Sequence, residues 1–228
     1  MIWLYALTDN PSAPLPTTGE HGVRELRQTQ AGEIAGVWST WSQTDAKASA
    51  EDGLWRQEVV LEALMCDRTV LPLRYGTVLQ NSDGVRDMII NRREEWLDAL
   101  RHVRGSVEMA VRASVQAPPA GVKPDGESGT DYLKRRGQER AGERALTKVI
   151  HGRLAAISIA SDVQVNAVAA PQLTASYLVP RPDVDGFKLA VRRLAEEDPE
   201  LAISCTGPWP PYSFVQPGGR SRDRRAAA

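Results

Sequence analysis

The sequence predicts an α+β fold of two domains with an extended C-terminal strap, and three observations carry that prediction. Residues 105–115 set Val107, Met109, Val111, Ala113 and Val115 on one face and Glu108 and Arg112 on the other, the period of two of a half-buried strand. Residues 82–103 carry Val85, Ile89, Trp96, Leu100 and Val103 along one stripe, the period of an amphipathic helix. From Gly105 to Thr206 such segments follow one another as β-α-β-β-α-β, the split βαβ order of ferredoxin-like folds. The expected organisation is an N-terminal sheet-plus-helices domain over 1–103 and a ferredoxin-like domain over 104–206. A Pro/aromatic strap over 207–216 and a disordered tail over 217–228 complete it.

In the N-terminal half, Met1 to Leu7 is apolar and β-prone and starts without a cap, so it reads as a buried strand. Asp9 to Gly22 holds three prolines and two glycines and is loop. Val23–Gln28 and Ile34–Ser39 form a hairpin about Gly32. From Asp45 to Met65 the period becomes helical, with Leu54, Trp55, Val59, Leu61, Ala63 and Leu64 as its apolar positions. Thr69 to Tyr75 returns to strand, and Ser82-Asp83 starts a helix that runs through Val103. Strands alternating with helices in this way make a sandwich of one sheet and one helical layer.

In the second half, Ala117 to Gly129 is Pro/Gly-rich and polar, a mobile loop feeding a long helix from Asp131 to Ser158. Leu146, Ile150, Leu154 and Ile157 give that helix an apolar face, while Lys134, Arg135, Arg136, Arg140, Arg144, Lys148 and Arg153 make it basic. Val163–Val168 and Leu173–Val179 are strands about a turn at Ala170-Pro171. Asp183–Glu197 is an amphipathic helix through Phe187, Leu189, Val191 and Leu194, and Leu201–Thr206 is the last strand.

Composition bounds what such a chain does. With 228 residues, 42% apolar and 25% charged, it has the material for proper cores. No apolar run reaches membrane-spanning length, and Met1-Ile2-Trp3-Leu4-Tyr5 lacks the basic region of a secretion leader, so a cytoplasmic protein with no membrane partner is expected. Cys66 and Cys205 have no ligand spacing around them and read as small buried hydrophobes, not as a disulfide or a zinc site. Residues 1–103 hold 10 Lys/Arg against 15 Asp/Glu and residues 104–228 hold 18 against 14, so the halves carry −5 and +4. That asymmetry fits either two domains that attract each other or a basic half that meets an acidic partner.

Catalytic chemistry has no constellation to rest on. His21, His102 and His151 stand apart from paired acids and cysteines, and no glycine run matches a phosphate-binding loop. The pairs Glu94-Glu95 and Glu196-Glu197 lie among arginines on helices, as solvated faces do. The basic helix interleaves Glu139 and Glu143 and has no aromatics interleaved among its cations, which argues against nucleic acid. No enzyme activity, cofactor or metal is therefore expected.

Two stretches ask for more. In Val70-Leu71-Pro72-Leu73-Arg74-Tyr75-Gly76-Thr77 a proline interrupts an apolar strand, confining it to an edge or bulge, and the chain bends at Gly76. Arg74 and Tyr75 are thus aimed from an irregular strand end, Arg74 either as half of a structural ion pair or as a binding group. Thr206-Gly207-Pro208-Trp209-Pro210-Pro211-Tyr212-Ser213-Phe214-Val215 holds three prolines, so it is expected to run as an extended strap outside helix and sheet. Trp209, Tyr212 and Phe214 on so stiff a segment either pack it back on the body, near Arg74-Tyr75, or recognise another protein.

Together these two stretches resemble the signature segments of the gas vesicle protein F/L family, and Ile2-Trp3-Leu4-Tyr5-Ala6 and Tyr132-Leu133 are similar too. The resemblance spans nearly all of residues 1–215 and leaves out the Arg-rich tail. It implies a non-enzymatic accessory protein of gas vesicle formation, made of two α+β domains, that binds the small hydrophobic shell protein and other accessory proteins during assembly or as a minor vesicle component. Sheet edges and an aromatic strap would suit covering a shell subunit before it polymerises. The alternative reading is a small-molecule-binding regulatory module built on ferredoxin-like domains.

Overall fold

The computed structural model describes residues 1–17, 25–41, 49–115, 147–166, 172–199 and 201–215. Two compact units divide them: Met1–Val107 with the chain from Trp209 onward in the first, and Glu108–Pro208 in the second. The architecture is mixed α+β, with two antiparallel sheets and five helices among the described residues.

In the first unit, β1 (Ile2–Thr8), β2 (Arg27–Ala31), β3 (Ile34–Thr40), β4 (Val70–Pro72) and β5 (Val78–Leu79) form one sheet in the order β2-β3-β1-β4, with β5 also pairing β1. β1 is apolar throughout because it is a central strand, and six of its seven residues are buried. Its register against β3 shifts between Leu4 and Ala6, and the extra residue, Tyr5, bonds Ser39 Oγ at 2.9 Å through its hydroxyl. The hairpin strand begins at Arg27, later than Val23 as expected from sequence; Val23 itself lies outside the described residues. Its turn is Gly32-Glu33, closed by the Ala31–Ile34 pair.

Helix α1 (Ala50–Met65) starts at Ser49, whose hydroxyl accepts the Asp52 N–H at 3.0 Å. Its buried face is Gly53, Gln57, Val60, Leu61, Leu64 and Met65. Leu54 and Trp55, expected in that stripe, are 52% and 56% exposed. At that turn the inner position belongs to Gly53, because Tyr75 occupies the space a side chain would need. The single helix expected over 82–103 is two, α2 (Ser82–Asn91) and α3 (Arg93–Val103), broken at Arg92 (φ −130°, ψ 33°). The break lets the Trp96 indole N–H donate to the Met88 carbonyl at 3.2 Å, while Arg92 lies over the Trp96 ring at 4.5 Å. Both helices turn an apolar stripe inward: Val85, Ile89, Trp96, Ala99, Leu100 and Val103.

Between α1 and β4 the Arg68 side chain is fully buried. It donates to both Asp67 carboxylate oxygens (2.6 and 3.0 Å) and to the Pro14 carbonyl (2.7 Å), tying down the loop that leaves β1. Cys66, expected to be buried, is exposed, since it caps α1 on its outer side.

In the second unit, β6 (Ser106–Val115), β7 (Ala160–Asn166), β8 (Gln172–Pro180) and β9 (Leu201–Trp209) form a sheet in the order β7-β8-β6-β9. Of the expected helix over 131–158, the described part is a π-helical turn (Thr147–His151) running into α4 (Gly152–Ala155). Tyr132, Leu133, Leu146 and the cations from Lys134 to Arg144 lie outside the described residues. So do the loop over 117–129, the turn at Ala170-Pro171, His21 and the tail over 217–228. Helix α5 (Val184–Glu197) buries Phe187, Val191 and Leu194, whereas Leu189 is exposed, and Glu197 pairs with Arg153 of α4. Tyr177 of β8 is fully buried against Phe187, with its hydroxyl 3.4 Å from His151 Nδ1, and burial pushes the phenol well above its ordinary range.

The last strand runs on to Trp209, past the expected end at Thr206 and through Pro208. β9 is the terminal strand of its sheet, so a residue without an N–H can sit there facing away from β6.

Candidate functional site

The irregular end of β4 is built by a tight turn. The Thr77 N–H donates to the Arg74 carbonyl at 3.2 Å and the Thr77 hydroxyl to the same oxygen at 2.6 Å, while Gly76 takes φ +79°. A positive φ at the third residue of a four-residue turn is what glycine allows without strain. β4 is also the terminal strand on its side of the order, which leaves Pro72 tolerated and the turn projecting. Tyr75 folds back: its ring meets Trp3 of β1 edge-on at 5.2 Å, and its hydroxyl fills the space where a Cβ on Gly53 would stand. Arg74 remains exposed and makes no ion pair among the described residues.

The strap enters the same neighbourhood. Pro210, Pro211 and Phe214 are buried, and the chain tightens into a 3₁₀ turn at Tyr212–Phe214, with the Tyr212 N–H on the Pro210 carbonyl at 2.8 Å. Phe214 lies 6.5 Å from the His102 ring of α3. Tyr212 faces α1, where the Gln57 amide donates to the Leu73 carbonyl at 3.0 Å and reaches the Tyr212 hydroxyl at 3.4 Å. Gln57 is therefore the joint between the strap and the strand end. It is 2% exposed, and its carbonyl oxygen has no hydrogen-bond partner among the described residues.

Of the five residues singled out from sequence, Tyr75 and Tyr212 are brought to the same stretch of α1, and Arg74 stands on the rim. Phe214 is an anchor on α3. Trp209 (36% exposed) and Tyr212 (41%) keep much of their aromatic surface outside. Gln57, Gly53, Trp3 and His102 were not foreseen. Gln57 was visible as the one amide in the stripe Gly53, Gln57, Val60, Leu61, Leu64, and Gly53 as a glycine within a helix. Chemically the cluster is an aromatic and amide surface with one free guanidinium. No cluster of metal-ligating side chains occurs among the described residues.

A family model described as "Gas vesicle synthesis protein GvpL/GvpF" matches residues 1–216. The chain is 29% identical to gas vesicle protein L of a Streptomyces species, covering 93% of this chain and 92% of that one. It is 26% identical to gas vesicle protein F of Haloferax mediterranei, covering 94% and 92%. The fold is similar to the crystal structure of gas vesicle protein GvpF from Microcystis aeruginosa, with a TM-score of 0.73 at 17% identity over 94% of this chain and 98% of that one. The chain belongs to the gas vesicle synthesis protein GvpL/GvpF family, and its role lies in gas vesicle formation.

Proposed function

We propose that this protein is a non-enzymatic, cytoplasmic accessory protein of gas vesicles, which binds the small hydrophobic shell protein, and other accessory proteins, during assembly or as a minor vesicle component. The observation that carries the proposal is the division of labour within the strap. Phe214, Pro210 and Pro211 are buried and hold it down, while Trp209 and Tyr212 keep aromatic surface exposed, Tyr212 beside the Gln57 amide that also meets the Leu73 carbonyl next to the exposed Arg74. Aromatic side chains on a stiff backbone bury much apolar area on contact and lose little entropy in doing so. A shell subunit that must hide apolar surface until it polymerises is a partner of matching chemistry. Neither nucleic acid nor a membrane is among the proposed partners. The two units are read as two domains, the second of them ferredoxin-like; its strand order β7-β8-β6-β9, with helical segments after β6 and after β8, supports that reading.

Co-expression with the shell protein tests this. A soluble complex is expected with the wild-type chain, and its yield should fall with Trp209→Ala/Tyr212→Ala and with Arg74→Glu, while the free variants stay folded and melt only a few degrees, about 3 °C for the loss of Tyr212, below wild type. Undiminished capture of the shell protein by both variants would remove this surface from the interface.

A further inference from the structure

The second unit carries a groove of about 220 Å³ between α5 and β9, lined by Lys188, Val191, Arg192, Ala195, Ile203 and Cys205. Among the described residues none of β6 lines it, and β9 is the terminal strand of the sheet, so the groove lies on the β9 side of α5. The floor is apolar: Val191 is buried, while Ile203 and Cys205, which face the helix, remain half-buried. The rim is cationic. Lys188 and Arg192 stand four residues apart, a spacing at which like charges oppose a helix, and neither has a hydrogen bond or ion pair among the described residues. Lys188 lies close enough to Cys205 for its charge to oppose the upward push of burial on the thiol.

From this juxtaposition we infer that the α5–β9 groove is a docking site for an extended, acidic segment of a partner protein, added as a strand along β9. An added strand runs about 4.8 Å from β9 and repeats its same-face side chains every ~6.8 Å. Lys188 and Arg192 are separated by about 6 Å of helix rise, so carboxylates two residues apart on one face meet the two cations. The backbone between them lies along the outer side of β9, and the residues between the carboxylates point to the opposite face of the sheet. Two other occupants fail on charge. The chain beyond Val215 carries Arg220, Arg222, Arg224 and Arg225 against Asp223 alone, the same sign as the rim. A second copy pairing through β9 offers no acid between Leu201 and Trp209 and would set both pairs of cations against each other.

The test uses the full chain carrying Cys66→Ser, with two fluorescein-labelled heptapeptides: one alternating valine and glutamate, the other valine and lysine. Saturable binding of the glutamate peptide is expected, about tenfold tighter than that of the lysine peptide, as rim charge pairing allows. Binding should slow alkylation of Cys205, and Lys188→Glu/Arg192→Glu, at unchanged melting temperature, should reverse the preference. Equal binding of both peptides, no saturable binding into the millimolar range, or a charge-reversed variant that behaves as wild type overturns the inference. Protection of Cys205 by raising the protein concentration alone also overturns it, in favour of a second copy.

Discussion

Replacing Phe214 by alanine separates the strap's two aromatic roles. Phe214 is 5% exposed, and its ring packs beside His102. A buried phenylalanine removes on the order of 150–200 Å² from water, worth about 4–5 kcal/mol at ~25 cal/mol/Å², an upper bound because the unfolded chain is not fully extended. Truncations of this kind cost about 3–5 kcal/mol in cores; the lower end applies here, because a terminal strap can close up over the gap. Tyr212, only three-fifths buried, loses less: its hydroxyl stands 3.4 Å from the Gln57 amide, too long for a strong bond, so Tyr212→Ala costs about 1 kcal/mol. At roughly 3 °C per kcal/mol for a chain of this size, Phe214→Ala lowers the melting temperature by about 9 °C and Tyr212→Ala by about 3 °C. Differential scanning calorimetry reads both, and limited proteolysis after Trp209 should accelerate in the first variant alone. Equal shifts, or a larger one for Tyr212→Ala, would refute the assignment of Phe214 as the internal anchor.

Two further predictions concern charges. Burial, and then the neighbouring Glu62, raise the pKa of Glu58 on α1. A raised carboxylate pKa means that folding favours the neutral form; the associated stability is present below the ordinary glutamate range and is lost as pH rises through the folded value. Glu58→Gln should therefore be more stable than wild type at pH 7 in urea titrations, with the gap closing under acid conditions. Asp67 behaves oppositely. The Arg68 hydrogen bond lowers its pKa, so its contribution is present at neutral pH and is lost as pH falls through the folded value, diminished by solvent because the carboxyl is half exposed. Arg68→Met should cost about 3 kcal/mol by leaving the Pro14 carbonyl unpaired, and Arg68→Lys should recover only part of it, lacking the two-pronged guanidinium. The mid-point of a urea denaturation measures both.

Much of the secondary structure was legible because the period of apolar residues is a local property. β6, α5 and the stripe from Val85 to Val103 could be read off residue by residue. What was not legible depends on distant neighbours. The stripe continues through Arg92, so nothing local marks the break; the break follows from Trp96, whose indole finds the Met88 carbonyl. Leu54 keeps helical spacing with Leu61 and yet is exposed, because Tyr75, more than twenty residues away, takes the inner space beside Gly53. The extension of β9 through Pro208 turns on its place at the end of the sheet, which strand order decides and the strand's own residues do not.

The candidate site shows the same limit more sharply. Three prolines announced a stiff aromatic strap, and Pro72 and Gly76 announced an irregular strand end, since both arguments rest on backbone chemistry that travels with the residue. That the two meet through Gln57 could not be read, because a glutamine in a helix commits itself only when its amide finds acceptors. Here these come from Leu73, 16 residues on, and from Tyr212, 155 residues on. The distinction that matters for function was hidden for the same reason. Trp209, Tyr212 and Phe214 are all aromatic on paper, and it is the surface against which each comes to rest that buries Phe214 and keeps part of the other two rings in solvent.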